Sequence, residues 1–179
     1  MAKIKKLFLE DYLFKGRYTQ MVVDLSETVD PASGAKIFDS AVELYLAAAI
    51  IGAHYQVKGK PDTGDPTKRI MANQFTNHYQ DLVFAYKLVM LNADKEVLSP
   101  IERINNAFRY TEDDPQIQNN IEFFETYMLG GLELLHDRLY QANMHFEDYL
   151  NALDELLIDI NDYHEEDDVK DIIDFGPAF

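Results

Sequence analysis

The side chains best suited to metal binding or proton transfer are the five histidines, and one of them stands at a ligand-like spacing from a carboxylate. Glu133 and His136 form an E-x-x-H pair, which places both on one face of a helix. Helical di-iron proteins use two such motifs and two further glutamates, and we find one here. Both residues also adjoin an apolar stripe, so we favour a structural pair and predict no metal and no cofactor.

Other catalytic arrangements have little support in the sequence. There is no cysteine, which excludes a thiolate nucleophile, a disulfide and a cysteine-based zinc site. No serine stands on a sharp, glycine-flanked turn, and the loop GKPDTGDPTK, residues 59–68, matches neither a phosphate loop nor an EF-hand. We therefore predict no catalytic residue, and an enzyme built on Glu133 and His136 ranks third among the functions considered.

The charge of the chain is strongly negative and unevenly placed. The formal net charge is −16, and residues 147–174 alone contain twelve acidic side chains and one lysine. Such a charge repels nucleic acids and anionic membranes, so we expect no direct binding to either. The first seventeen residues are locally basic, with lysines at Lys3, Lys5, Lys6 and Lys15.

The acidic C-terminal end also contains apolar side chains that a purely solubilising tail does not need. Three interpretations are open: the segment folds back on its domain, it docks on a basic partner protein with an apolar groove, or it mimics the phosphate charge of DNA. We favour docking and rank mimicry last, because mimicry needs acids spread over a rigid surface. The predicted partner-binding residues are Asp167, Asp168, Ile172, Ile173, Asp174, Phe175 and Phe179.

The apolar spacing predicts an all-α protein, a single compact domain over residues 1–162 followed by an acidic, aromatic tail over 163–179. One segment, residues 18–25, is rich in β-formers and is expected to be extended. The segment 35–55 is apolar on nearly every side, which is typical of a central helix. Five or six helices are predicted, at residues 4–15, 35–55, 69–91, 115–139 and 146–161 and in a short segment that begins at Ser99-Pro100.

Two adjacent glycines, Gly130 and Gly131, interrupt the longest predicted helix. Glycine inside a helix costs about 1 kcal/mol relative to alanine, so the pair needs a reason. Removing the Cβ atom lets another backbone approach, and the flat partner surface would be the small residues of 47–53 in the central helix. The alternative is a kink at the pair. We predict close helix packing.

Four segments, in order, carry a resemblance to a known family: FDSAVELYLAAAIIGAHYQVKGKP, NHYQDLVFAYKLVML, LSPIERINNAFR and NIEFFETYMLGGLELLHDRL. Their order resembles the small Dnd system-associated proteins, which are encoded beside bacterial DNA phosphorothioation systems, over roughly residues 37–139. That family shows an F-x-x-Y-x-x-G-G-L-E-x-L signature. Here the signature falls on Phe124, Tyr127, Gly130, Gly131, Leu132, Glu133 and Leu135. The resemblance implies a prokaryotic host and a place in anti-phage or DNA-modification islands, and it implies no catalytic residues.

These observations predict a non-enzymatic accessory or regulatory subunit that binds another protein of a bacterial defence or DNA-modification system. An acidic DNA-mimic inhibitor is the alternative.

The N-terminus contains Glu10 and Asp11 and lacks a plausible cleavage site, so we expect no signal peptide. The longest apolar stretch, residues 41–53, is too short to span a bilayer. We therefore expect a cytoplasmic protein.

Overall fold

Seven α-helices, one π-helical turn and a two-stranded sheet make up the computed structural model over the residues that it describes, 7–27, 34–110, 114–140 and 145–174. Side chains are described for all of these except residue 146 and residues 163–174. A mainly helical fold is confirmed, whereas the strict all-α class and the count of five or six helices are corrected. The elements are β1 (Tyr12–Lys15), α1 (Arg17–Ser26), α2 (Ala41–His54), β2 (Thr67–Ile70), α3 (Ala72–Asn77), α4 (Tyr79–Asn92), α5 (Pro100–Ile104), the π-helical turn (Asn105–Arg109), α6 (Gln116–Leu139) and α7 (Phe146–Asp174).

The sheet forms where the sequence predicts helices. Strand β1 pairs antiparallel with β2, so that Tyr12 lies opposite Ile70. Within β1 the side chain of Phe14 is buried and that of Leu13 is exposed, which is the alternation of a strand. The expected helix over 4–15 is wrong over its described part. Backbone pairing with a distant strand outweighs the local apolar spacing that favoured a helix.

Helix α1 occupies a segment whose composition favours a strand. Residues 18–25 were expected to be extended, yet they lie within this helix. Tyr18, Val22 and Leu25 follow one another at helical spacing and are fully buried. Packing of this stripe against the neighbouring helices overrides the intrinsic β-preference of its residues.

The segment predicted as one helix over 69–91 is divided into β2, α3 and α4. The division falls at His78, whose backbone conformation ends α3 and begins α4. The next helix start is confirmed. Ser99 accepts a hydrogen bond from the amide of Glu102, and the carboxylate of Glu102 accepts one from the amide of Ser99. This reciprocal capping box begins α5 at Pro100.

Helix α2 lies at the centre of the fold, as the apolar residues on nearly every side of this helix predict. It packs against α1, α4 and α6, and its side chains of Leu44, Tyr45 and Ala48 are buried. Tyr45 belongs to a cluster of rings whose centroids lie 5.2–6.5 Å apart, formed by Phe8, Tyr45, Phe75, Tyr86 and Phe124.

Among the described helices, none is both long enough and apolar enough to cross a membrane.

Gly131 of α6 and Gly52 of α2 bring the backbones of these two helices into direct contact. A Cβ atom on Gly131 would overlap the carbonyl oxygen of Ala48 and lie 2.7 Å from the amide nitrogen of Gly52. A Cβ atom on Gly52 would overlap the carbonyl oxygen of Tyr127. Helix α6 continues without a break through the glycine pair. The prediction of close helix packing is confirmed, with Ala48 and Gly52 as the partners.

Gly130 serves a different contact, which the sequence did not reveal. It faces the chain that leaves α2, where a Cβ atom would overlap the carbonyl oxygen of Val57 and lie 2.8 Å from the amide nitrogen of Gly59. That amide donates a hydrogen bond of 2.8 Å to the carbonyl of Thr126. The two adjacent glycines therefore hold a helix and a loop against neighbouring sides of α6.

Replacing Gly131 with alanine should destabilise the protein by about 3 kcal/mol, because the added methyl group meets backbone atoms that cannot move aside. At a helix position without such a contact, the same change would stabilise by about 1 kcal/mol. Urea unfolding followed by circular dichroism measures the difference. Gly64→Ala is the control, since its nearest foreign atom is the Asp62 carboxylate at 3.3 Å. Equal stability of Gly131→Ala and the wild type would contradict the backbone contact.

Candidate interaction surface

Glu133 of the E-x-x-H pair connects α6 to the start of α1. Its carboxylate accepts hydrogen bonds of 2.5 Å from the hydroxyl of Tyr18 and 2.5 Å from the guanidinium of Arg17. Burial and the bond to this carboxylate both raise the pKa of Tyr18. The hydroxyl therefore stays protonated and acts as a donor at neutral pH. Glu133 is occupied by two structural contacts.

His136 connects the same two helices further along. Its Nε2 atom lies 2.9 Å from the carboxylate of Asp24 on α1, and its ring stacks on Tyr140 with centroids 4.9 Å apart. Glu133 and His136 thus point to different partners on α1 and do not converge on one point. Within the ranges that the structure describes, no three His, Asp or Glu side chains are grouped to hold a metal ion.

A small cleft lies beside the aromatic cluster. Its walls contain the rings of Tyr12 and Tyr45 and the carboxylates of Glu10, Asp11 and Glu125. Burial is the main cause that raises the pKa of both tyrosines, and the charge of Glu125 adds to it. The cleft is open to solvent on one side, and the space in it for a water-sized molecule is about 30 Å³.

Asp94 is the centre of a polar cluster at the end of α4. Its carboxylate accepts hydrogen bonds of 2.6 Å from the ammonium of Lys58 and 2.6 Å from the hydroxyl of Tyr127. Burial alone would raise the pKa of Asp94, but these two hydrogen bonds outweigh it and lower the pKa below the ordinary 3.8. The ammonium of Lys58 also lies over the rings of Phe123 and Tyr127. The cluster joins the loop after α2 to α4 and α6.

Four large apolar side chains of α4, α5 and the π-helical turn face solvent. They are 52–71% exposed and form what we term the apolar patch: Phe84, Ile101, Ile104 and Phe108. Ile101, Ile104 and Phe108 share the single face that their spacing predicts. That face points outward. Helix α5 contacts α4, although none of its five residues is buried.

Basic side chains border the apolar patch. The ammonium of Lys87 lies 5.3 Å from the centre of the Phe108 ring, and Arg109 follows Phe108 directly. The guanidinium of Arg103 donates a hydrogen bond of 2.6 Å to the backbone carbonyl of Leu91. The patch is therefore apolar at its centre and positive along the edge at Phe108, while the exposed acids Glu102 and Asp81 lie beside Ile101 and one helical turn before Phe84.

Helix α7 carries a second exposed apolar surface. Tyr149 and Leu156 are buried against the domain. Asp159 accepts a hydrogen bond from the hydroxyl of Tyr55, at the end of α2, and forms an ion pair with Arg138 of α6. Beside this inward face lie three leucines at helical spacing, 36–56% exposed, which we term the α7 stripe: Leu150, Leu153 and Leu157.

Five of the predicted partner-binding residues lie at the far end of α7. Asp167, Asp168, Ile172, Ile173 and Asp174 belong to this helix, which continues to Asp174, beyond the end near 161 that the sequence predicted. Their side chains are outside the described part of the chain, and so are the whole residues Phe175 and Phe179 and the lysines Lys3, Lys5 and Lys6. Docking through them stays a prediction.

The sequence interpretation missed both exposed surfaces. The spacing of Ile101, Ile104 and Phe108 places them on one face, but spacing does not say whether a face is covered. For α7 a signal was present. Leu150, Leu153 and Leu157 form a stripe beside the one that contains Tyr149 and Leu156, and one helix–helix contact covers only about one such stripe.

Comparisons of the chain with protein-family models, with curated proteins and with solved structures gave no match. The resemblance to Dnd system-associated proteins therefore stays a prediction from the sequence.

The Asp94 cluster should make stability depend on pH below about 4. Because the folded pKa of Asp94 is lowered, its contribution is complete above the unfolded value of 3.8 and is lost as the pH falls through the folded value. The variant Asp94→Asn should thus be less stable than the wild type near neutral pH, and the difference should shrink in acid. Urea unfolding of both proteins from about pH 7 to about pH 3 measures it.

Asp137→Asn is the matched control, since it removes one negative charge from an exposed position of α6. The gap between this control and the wild type should stay constant over the same range of pH. A gap for Asp94→Asn that is equally constant would show that the Lys58 and Tyr127 contacts do not stabilise the ionised carboxylate.

Proposed function

We propose that this protein is a non-enzymatic accessory or regulatory subunit, and that α7 is the element by which it binds a partner protein. The observation that carries the proposal is the α7 stripe, in which Leu150, Leu153 and Leu157 face solvent on a helix whose inward face is already packed. Contiguous apolar surface of this kind is typical of interaction sites.

The charge of α7 indicates the chemistry of the partner. The helix contains twelve acidic residues and one lysine over 146–174. Two of the exposed acids, Glu147 and Asp154, lie one helical turn from Leu150 on either side. Exposed acids attract a basic surface and raise the association rate, whereas buried apolar contacts sustain the complex. The occupant is therefore a protein with an apolar groove bordered by lysine or arginine.

The biological setting in this proposal is a prokaryotic anti-phage or DNA-modification system, and it rests on the sequence resemblance over residues 37–139. The side chains that the family signature shares with this chain hold the fold together here. Gly131 contacts α2 and Glu133 contacts α1. Such roles are consistent with a family whose common residues specify a scaffold, while partner recognition depends on surfaces outside the signature.

A designed probe tests the docking chemistry before the natural partner is known. A labelled helical peptide of about 20 residues, with leucine on one face and lysine on the other, presents the expected partner surface. The wild type should bind it in fluorescence anisotropy at about 0.15 M salt. Leu157→Glu should weaken binding about tenfold, because the change places a charge in the apolar contact.

The neighbouring change Ile158→Glu is the control. Ile158 is as exposed as Leu157 but projects from another side of α7, so its variant should bind normally. Equal binding of a lysine peptide without leucine, together with no effect of Leu157→Glu, would show that charge alone attracts the probe. That result would favour the DNA-mimic function over a docking helix.

Deletion of residues 169–179 tests the end of the helix that the sequence predicted as the binding segment. The shortened protein should keep its helical circular dichroism signal and lose affinity for the probe, since Ile172, Ile173, Phe175 and Phe179 are removed. Loss of folding would mean that these residues belong to the core, and full affinity would exclude them from the interface and limit it to the α7 stripe or another part of the chain.

A further inference from the structure

The apolar patch differs in charge from the chain that carries it. Residues 84–110 contain four basic and three acidic side chains, a net of +1, on a chain whose formal charge is −16. One of those acids, Asp94, already holds the ammonium of Lys58 at 2.6 Å. The positive charge is adjacent to apolar surface, because Lys87 lies over the ring of Phe108.

The α7 stripe has the complementary character. Its leucines are apolar and exposed, and the helix around them has a net charge of −11 over residues 146–174. An apolar surface with a positive edge and an apolar helix with negative edges occur on the same chain. Each has the surface chemistry that the other would need in a partner.

We infer that the apolar patch of one copy of this chain binds the α7 stripe of a second copy. The leucines of α7 cover Phe84, Ile101, Ile104 and Phe108, and the acids beside the stripe face Lys87 and Arg109. The patch includes a π-helical turn, a rare conformation that is frequent at functional sites. This inference does not require the proposed function, although both use the α7 stripe.

Charge decides against the symmetrical alternatives. Pairing α7 with α7 would bring two helices of net −11 together, and pairing patch with patch would bring Lys87 and Arg109 near their own copies. Like charges placed opposite one another disfavour a complex. A patch-to-helix contact avoids both repulsions.

The geometry of such a contact has a consequence for assembly. The two surfaces are different, so after a single contact forms one copy keeps a free α7 stripe and the other keeps a free apolar patch. Heterologous contacts of this type produce rings or open chains. The interface is small, with four side chains facing three, and small interfaces are usually weak.

Sedimentation velocity of the full chain tests the inference. The average mass should rise beyond that of a dimer as concentration increases from about 1 μM to 1 mM. The rise should diminish when salt is raised from about 0.1 M to 1 M, which shortens the Debye length from about 10 Å to 3 Å.

Two variants that each remove one surface make the test specific. Ile101→Glu removes the patch and keeps α7, whereas Leu157→Glu removes the stripe and keeps the patch. Each alone should associate at least about tenfold more weakly than the wild type. Mixed in equal amounts, they should form a dimer that grows no further, because each supplies the surface that the other lacks.

The controls Met71→Glu and Ile158→Glu add the same charge at apolar positions that are as exposed but lie outside both surfaces. They should associate like the wild type, and circular dichroism should show that all four variants are folded. A wild type that stays monomeric throughout would overturn the inference, and so would a mixture of Ile101→Glu and Leu157→Glu that forms no dimer.

Failure of this inference is distinguishable from failure of the proposed function. A monomeric wild type that still binds the leucine–lysine peptide through Leu157 would exclude self-association and leave partner docking intact. A self-associating wild type whose variant Ile101→Glu, which leaves the α7 stripe free, also ignores the peptide would exclude docking on a basic partner of that kind and leave the contact between copies intact.

Discussion

The backbone contact between α2 and α6 is the constraint on which the rest of the structure depends. Gly52 and Gly131 let the two helices approach until a Cβ atom on either glycine would overlap a backbone carbonyl of the other helix. No side chain fits between them, so the distance and the register are both set. Dispersion attraction between the two smooth helix surfaces offsets the helix propensity that the glycines lose.

Once α6 is fixed in this way, three of its polar side chains bond to residues of α1 and of the end of α4. Tyr127 bonds to Asp94 at the end of α4, and Glu133 bonds to Tyr18 on α1. His136 reaches Asp24 near the other end of α1. Glu133 and His136, whose residue types and spacing suggest a metal or catalytic site, thus hold helices in position. A buried or half-buried polar group contributes most when its partner is held at the right distance, and the glycine contact provides that distance.

Two apolar surfaces stay exposed because the core is complete without α5 and without one side of α7. Helix α5 and the π-helical turn are held by the buried Ala107, by contacts with α4 and by hydrogen bonds from Tyr86 and Asn120 to the carbonyl of Asn106, which leaves their apolar face outside. Helix α7 is held through Tyr149, Leu156 and Asp159, which leaves three leucines outside. Exposed apolar surfaces are typical of interaction sites, and these two are the surfaces to which we assign binding.

The sequence by itself determined the helical character, the central place of α2, the capped start of α5 and the close approach at Gly131, because these depend on periodicity and on residue size. Only the tertiary structure decided that residues 12–15 form a strand, that α1 is a helix and that Gly130 contacts a loop. It also decided that Ile101, Ile104 and Phe108 face solvent. The physical reason is the same in each case: a local pattern specifies which residues share a face, whereas distant parts of the chain decide what that face meets.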